Sequence, residues 1–477
     1  MPRFPAMAAV LDDDLTGAWL TGPDVPADPS RLRYVDAPEM AALADVAAWA
    51  AALGLGFEHE HTRPDDGQVW VPPAAAARLG LPDRLPEDKA AAKLVAPLKA
   101  AGWNVSHTEA WVTLWRPGGR SLRLAVVPWM SPARVPLVAG DPDPYGLAFR
   151  LAAYAAHVGL PLRMSAGVTG VDLMERLRPP GSRLGLAEPV TAPPPARRRT
   201  LESAYLWQRR PTSAELAMAY VHAYDKNGQY LAAASSVALG LADAEHWADA
   251  PEFNPKLPGL WRVAWASVPW NEPGLPDLFN PTSRGRKGAD AWHATPTLVY
   301  AASIGYEITP LEAYVYPQHG RALEPWYRRL RAARESLAPD KADPDLGPVL
   351  ATLKATYAAG LGRLDAANTK GDRRYRPDWY AAVRSTARAN LTRNVLAAVE
   401  NDHRYPLAVI KDQVLYASDD PDPVSACPPS LRLGAGLGAW KVYGTAPMAE
   451  AAARLHPGRP VGRGGVMELF AGEPGEE

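Results

Sequence analysis

Two aspartates occupy positions from which a carboxylate can hold a divalent cation. Asp225 ends the apolar and aromatic run Ala219-Tyr-Val-His-Ala-Tyr224, and the turn Asn227-Gly228 follows before a helical pattern begins near Tyr230. That order puts a carboxylate at the tip of a buried strand, with an aromatic ring about one helical turn later. Asp412 lies in Tyr405-Pro-Leu-Ala-Val-Ile410-Lys-Asp412-Gln-Val-Leu-Tyr416, where two short apolar strands flank a tight polar tip, the pattern of a hairpin. Mg²⁺ takes oxygen ligands and keeps part of its shell for water and substrate phosphates, so two strand-tip carboxylates would make a natural two-metal pair. A strand-end aspartate is more often a turn or capping residue, and only its surroundings decide.

The elements between the two aspartates are mostly helical. Thr295 and Pro296 suit the start of a helix and Gly305 its end, and the strand-like Ile308-Thr-Pro-Leu-Glu-Ala-Tyr-Val-Tyr316 comes next. A helix with a dense basic face is expected over Leu323 to Leu337, then a second from Pro348 through Lys354 to Gly360-Leu-Gly362, and a third over Trp379 to Glu400. The Ala/Gly-rich end of the second would let a flat partner such as a base pair approach its backbone. Arginines cluster at 197–199, 209–210, 328–334 and 373–376, interleaved with Trp207, Tyr327, Tyr375 and Trp379. Such patches suit phosphate contact and base stacking, and they equally suit a solvated surface.

Composition bounds the rest. The 477 residues suffice for roughly three domains, or two with one large, and 47% hydrophobic with 22% charged residues is ordinary for a globular chain. A net charge of −1 neither predicts nor forbids nucleic acid. The single cysteine, Cys427, excludes an intrachain disulfide framework and a multi-thiolate zinc site, and fits a cytoplasmic location. No signal peptide and no run of about 18 apolar residues is visible, so no membrane partner is expected. Three zones follow: 1–110, of unknown role; 111–200, a small α/β unit with a Pro/Arg-rich linker; and 201–477. His59, Glu60 and His61 resemble metal ligands superficially, but adjacent strand residues point to opposite faces, which favours a solvated loop.

In order and spacing, residues 201 to 445 resemble family B DNA polymerases, especially the compact protein-primed kind of phages and linear plasmids. The family's first palm motif, D-x-x-S-L-Y-P, is matched at Asp225 and Tyr230, with Gly228, Gln229 and Leu231 departing. Its fingers motif, K-x-x-x-N-S-x-Y-G, keeps Lys354 and Gly362 but has Ala358, Ala359 and Leu361 for the Asn, Ser and Tyr. Thr386-Ala387-Arg388 resembles the T-A-x-A-R helix, and Leu437-Gly438-Ala439-Trp440-Lys441 resembles L-G-x-W-K. The third palm motif, D-T-D-S-I, aligns on Ile410 to Val414, keeping only Asp412, or in a rival register ends on Asp420.

The resemblance implies an α+β fold: a right-hand palm and fingers with a reduced thumb, preceded by a degenerate exonuclease-like α/β domain. It implies nucleotide transfer with Mg²⁺ or Mn²⁺ held by the catalytic pair Asp225 and Asp412. Lys354 would contact the triphosphate, helped by Arg331 and Arg334, and Tyr230 would stack beneath the sugar. Gly362, Arg388 and Lys441 would meet nucleic acid. DNA, dNTP and a terminal or priming protein are the implied partners. The family's exonuclease domain begins with a D-x-E strand, and the strands at Trp111 and Ser121 contain no acidic residue, so no proofreading is expected. A catalytically inactive scaffold that binds DNA or a terminal protein is the alternative, and an unrelated α/β protein would leave Asp225 and Asp412 far apart.

Overall fold

The computed structural model describes residues 8–21, 32–55, 67–85, 87–116, 121–177, 191–198, 201–250, 252–264, 274–282, 290–366, 374–457 and 465–470. His59 to His61, the turn at Pro117 to Gly119, Arg199 and Arg373 lie outside them. The chain divides into two compact units, Met1–Arg176 with Arg329–Leu361, and Leu177–Arg328 with Gly362–Glu477.

The first unit is built on one seven-stranded sheet. Its strands are β1 (Ala8–Leu11), β2 (Gly17–Thr21), β3 (Arg33–Asp36), β4 (Gly67–Val71), β5 (Asn104–Thr108), β6 (Trp111–Trp115) and β7 (Ser121–Val126), in the order β3-β2-β1-β4-β7-β6-β5. β1, β4 and β7 run parallel at its centre, and the flanking pairs are antiparallel. Every residue of β1 and β4 is buried, the continuous apolar pattern of strands covered on both faces, while β5 at the edge alternates outward and half-inward. This sheet corrects the expected boundary at residue 110, because β4 pairs with β7 across it. The strand that begins at Trp111 pairs with β5 before it and β7 after it in this same sheet.

Helix Pro144–Val158 packs on this sheet, capped by Asp143, whose side chain accepts from Gly146 N at 2.6 Å, and ended by Gly159 at φ +85°. Helices Ala166–Arg176 and Leu346–Arg363 approach closely at two glycines. A Cβ on Gly170 would stand 2.3 Å from the Thr356 carbonyl oxygen, and one on Gly360 3.0 Å from Gly170 Cα. Part of the small-residue end read as a base-pair approach is therefore a helix contact. A Cβ on Gly362, by contrast, meets nothing within 4 Å. Gly170→Leu is expected to force the helices apart and cost about 1–3 kcal/mol, lowering the urea midpoint, whereas Gly362→Ala leaves it unchanged.

The second unit holds three antiparallel sheets. A five-stranded sheet is formed by β8 (Leu206–Gln208), β9 (Tyr220–Lys226), β16 (Ala408–Ile410), β17 (Gln413–Ser418) and β18 (Trp440–Pro447), in the order β18-β9-β17-β16-β8. Between β9 and β16 in sequence come a two-stranded sheet, β10 (Leu239–Gly240) with β15 (His319–Gly320), and a four-stranded one. The latter orders β11 (Glu245–Trp247), β14 (Pro310–Val315), β12 (Gly259–Ala264) and β13 (Asp290–Ala294). The 26-residue helix Pro377–Asp402 packs against helices Gln229–Ala234 and Thr295–Ser303. Its Leu391 and Val395 meet Tyr224, Val414, Tyr416 and Trp440 of the five-stranded sheet in a shared core. Burying each such large side chain contributes roughly 1.5–3 kcal/mol, so this helix and sheet form a stiff base for the ends of β9 and β17. Among the described residues no helix is long and apolar enough to cross a membrane.

Candidate functional site: a carboxylate pair at the end of a sheet

The hairpin expected around Asp412 forms as β16 and β17, paired Ile410 to Gln413, with Lys411 and Asp412 as the tip. Lys411 takes a left-handed conformation, φ +55°, that closes so short a turn. β9 lies beside β17, with Asp225 directly opposite Gln413. The tip is held against the end of β9 by a hydrogen bond from Lys226 N to Asp412 O at 2.9 Å. The two aspartates are thus neighbours, where an unrelated α/β protein was expected to leave them far apart.

Their environment is that of a strained pair. Burial, and then the charge of Asp225, push the Asp412 carboxyl up to about 6 from its ordinary 3.8. Lys441, opposite Asp225 on β18, places Nζ 3.2 Å from Asp225 Oδ2, with its own side chain half exposed. Tyr230, on the first turn after Gly228, is half-buried, and its phenol is pushed up to about 12 by burial and then by the charge of Asp412. It remains a neutral hydroxyl across the physiological range.

A carboxylate whose folded pKa is raised binds its proton more tightly folded than unfolded. Ionised Asp412 therefore costs stability, a penalty absent at low pH that grows between about 4 and 6 and is complete above 6. Asp412→Asn is expected to stabilise the metal-free protein at pH 7.5 by up to about 3 kcal/mol, one pKa unit being about 1.4 kcal/mol. The gain should vanish near pH 4. Thermal unfolding of both proteins at the two pH values checks this.

The rival Asp420 is placed elsewhere. Ser418 pairs with Tyr220 at the far end of β9, so Asp420 lies beyond the opposite end of the strand from Asp225, where it accepts from the Asp422 backbone at 2.9 Å. Arg388, expected at nucleic acid, is only 4% exposed. Its guanidinium pairs with Glu202 and donates to Ser203 O at 2.8 Å and Thr297 Oγ1 at 3.0 Å. Its charge is thus consumed within the protein, which corrects the expected contact. Glu202 in turn accepts from Ala294 N at 2.6 Å, tying the start of helix Thr295–Ser303 to the same centre.

Lys354, Arg331 and Arg334 belong to the other compact unit from Asp225 and Asp412. Lys354 is exposed on helix Leu346–Arg363, and on helix Glu324–Leu337 Arg334 is half-buried while Arg331 pairs with Glu335 at 2.7 Å. Several clustered arginines serve the fold: Arg209 grips Glu215 at 2.5 and 2.7 Å, and buried Arg376 pairs with Asp378 at 2.6 Å.

One acidic group escaped the sequence reading. β1 runs straight into Asp12-Asp13-Asp14. Thr16 Oγ1 donates to Asp12 at 3.0 Å and to Asp14 at 2.8 Å, and Tyr34 donates to Asp12. The hydrogen bonds from Thr16 hold the Asp14 carboxyl below its ordinary value. The signal was present in an acidic triplet directly after a buried apolar strand. Among the described residues, no cluster of three or more His, Cys, Asp or Glu gathers with metal-holding geometry.

Comparison with known proteins agrees with this architecture. A domain of unknown function (DUF8841) matches residues 9–164, about a third of the chain and all within the first compact unit. No curated protein matches the sequence. Phi29 DNA polymerase in its ternary complex with primer-template DNA and incoming nucleotide matches with TM-score 0.50 at 12% identity, covering 92% of this chain and 84% of that one. The same polymerase in its post-translocation binary complex with primer-template DNA matches at TM-score 0.47 and 11% identity, covering 92% and 83%. The chain is thus a mixed α+β protein similar in fold to phi29 DNA polymerase.

Proposed function

We propose that the protein is a DNA-directed nucleotidyltransferase with a palm-like second unit, its active centre formed by Asp225 and Asp412. The observation that carries this reading is the juxtaposition of two carboxylates at one end of the five-stranded sheet, one of them with its pKa raised by burial and then by the other's charge. Such a pair fits Mg²⁺ or Mn²⁺, because a divalent cation relieves their repulsion and two carboxylates leave coordination places for water and phosphate. When bound there, the metal would supply activation of a primer hydroxyl and neutralisation of a triphosphate. Around it, Asp225 and Asp412 supply the negative charge that holds the cation, and Lys441 sets how much of that charge Asp225 offers. Tyr230 presents a neutral ring and hydroxyl to a sugar. By the family resemblance Lys354, Arg331 and Arg334 are the residues assigned to a triphosphate, and Gly362 leaves backbone open to a base pair. The exonuclease-like part is degenerate in this reading and does not proofread. DNA and dNTP are its substrates, with a terminal protein as the candidate primer.

Primer extension with labelled dNTP in Mg²⁺ or Mn²⁺ tests the proposal. A second reading, an inactive DNA-binding scaffold, is favoured by Ile410, which stands where the family has its first aspartate, and by the Lys441 ammonium beside Asp225. It predicts DNA retardation in gels with no incorporation in either metal.

A further inference from the structure

On the other face of the same strand lies a second polar site. Successive strand residues point to opposite faces, so Lys226 leaves β9 away from Asp225. The side chain is only 5% exposed, and its Nζ donates to Asn394 Oδ1 at 2.6 Å and to Asn390 O at 3.3 Å, both on helix Pro377–Asp402. Beside it is a hollow of about 230 Å³, lined by Lys226, Gln229, Asn390, Arg393 and Asn394, with small residues leaving the room. No carboxylate lines it. Arg393, one turn along from Asn390, donates to Asn390 Oδ1 at 2.8 Å and lies over the Tyr300 ring. Gln229, also 5% exposed, has its Oε1 buried without a hydrogen-bond partner.

A buried Lys226 ammonium with Arg393 beside it and no acid in the lining is an arrangement that costs free energy when nothing else is present. A ligand that offsets this charge carries negative charge on several acceptor oxygens. The hollow exceeds a tetrahedral oxyanion in volume and opens to solvent, so a group bearing further atoms fits. Arg393 and Lys226 supply charge, and because Asn390 Oδ1 and Asn394 Oδ1 accept from those two cations, both amides keep their NH₂ groups for a ligand.

We infer that this hollow binds a phosphate group, as the free ion or carried on a nucleic-acid backbone. It is distinct from the carboxylate pair and does not depend on that pair's catalytic reading.

The test is calorimetric titration of the full chain, at matched ionic strength, with inorganic phosphate in one arm and a short single-stranded oligonucleotide in the other. Saturable phosphate binding is expected. Arg393→Gln, at an exposed position, should weaken it at least about tenfold, the loss of one charge-assisted hydrogen bond. Lys226→Met should do the same, while Asp225→Asn leaves it unchanged. Binding of the oligonucleotide alone, lost in Arg393→Gln, assigns the site to backbone phosphate. No saturable binding in either arm, or equal binding by Arg393→Gln and the natural protein, overturns the inference.

Discussion

Replacing Asp225 by Asn should reduce nucleotide incorporation by about 10³-fold, with Mg²⁺ and with Mn²⁺ alike. Asn keeps the shape of the side chain but removes its charge. A bound metal contributes several kcal/mol to the transition state of phosphoryl transfer, and roughly 4 kcal/mol corresponds to that factor in rate. The fold should survive. What Asp225 loses is a contact to the half-exposed Lys441, and exposed ion pairs are worth at most about 1 kcal/mol. The substitution also removes part of the field that raises Asp412, so the Asp412 carboxyl should titrate closer to its ordinary value, with burial as the remaining cause. Single-turnover incorporation and melting temperature, measured together, separate chemistry from folding. A variant that incorporates nucleotide at the natural rate would sink the two-carboxylate centre.

The largest loss of stability is expected at Arg388→Met. Arg388 and Glu202 are both nearly inaccessible, and removing one partner leaves a buried charge uncompensated, at a cost of about 3–5 kcal/mol. Glu202 would still accept from Ala294 N and Thr297 Oγ1, but those bonds do not neutralise it. The second unit should therefore melt about 10 °C lower, on the scale expected for a domain of this size. Adding Glu202→Gln should recover most of the loss, because the double variant buries no net charge while the Gln carbonyl still accepts from Ala294 N. Denaturant unfolding of the single and double variants gives the coupling directly. Equal stability of Arg388→Met and the natural protein would show that the guanidinium is free to face a ligand.

Much of the site could be read before any coordinates. The hairpin around Asp412 announced itself because a polar dipeptide interrupts an apolar run, and the end of β9 because Asn227-Gly228 follows an aromatic strand. The helices over 295–303, 324–337, 346–363 and 377–402 also lie within a few residues of their expected bounds. These features are local: pattern and turn chemistry suffice. What stayed hidden depends on distant partners. Nothing near Val10 or Trp70 states that they pair, or that Trp70 then pairs with Ala125. The domain limit at 110 was misplaced for that reason. Arg388 resembled a nucleic-acid contact because its partner Glu202 is 186 residues away. Likewise Gly360 looked like an open surface until Gly170 was seen against it.

The alternation along β9 has one more consequence. Asp225 and Lys226 are adjacent, so a shift of β9 by a single position would exchange an anion for a cation on the face that carries the carboxylate pair. Insertions within 220–224 should therefore be poisonous, whereas added residues in the 419–439 connection leave the strand alignment intact. Across natural variants, length changes should accumulate in that connection and be absent from the strand.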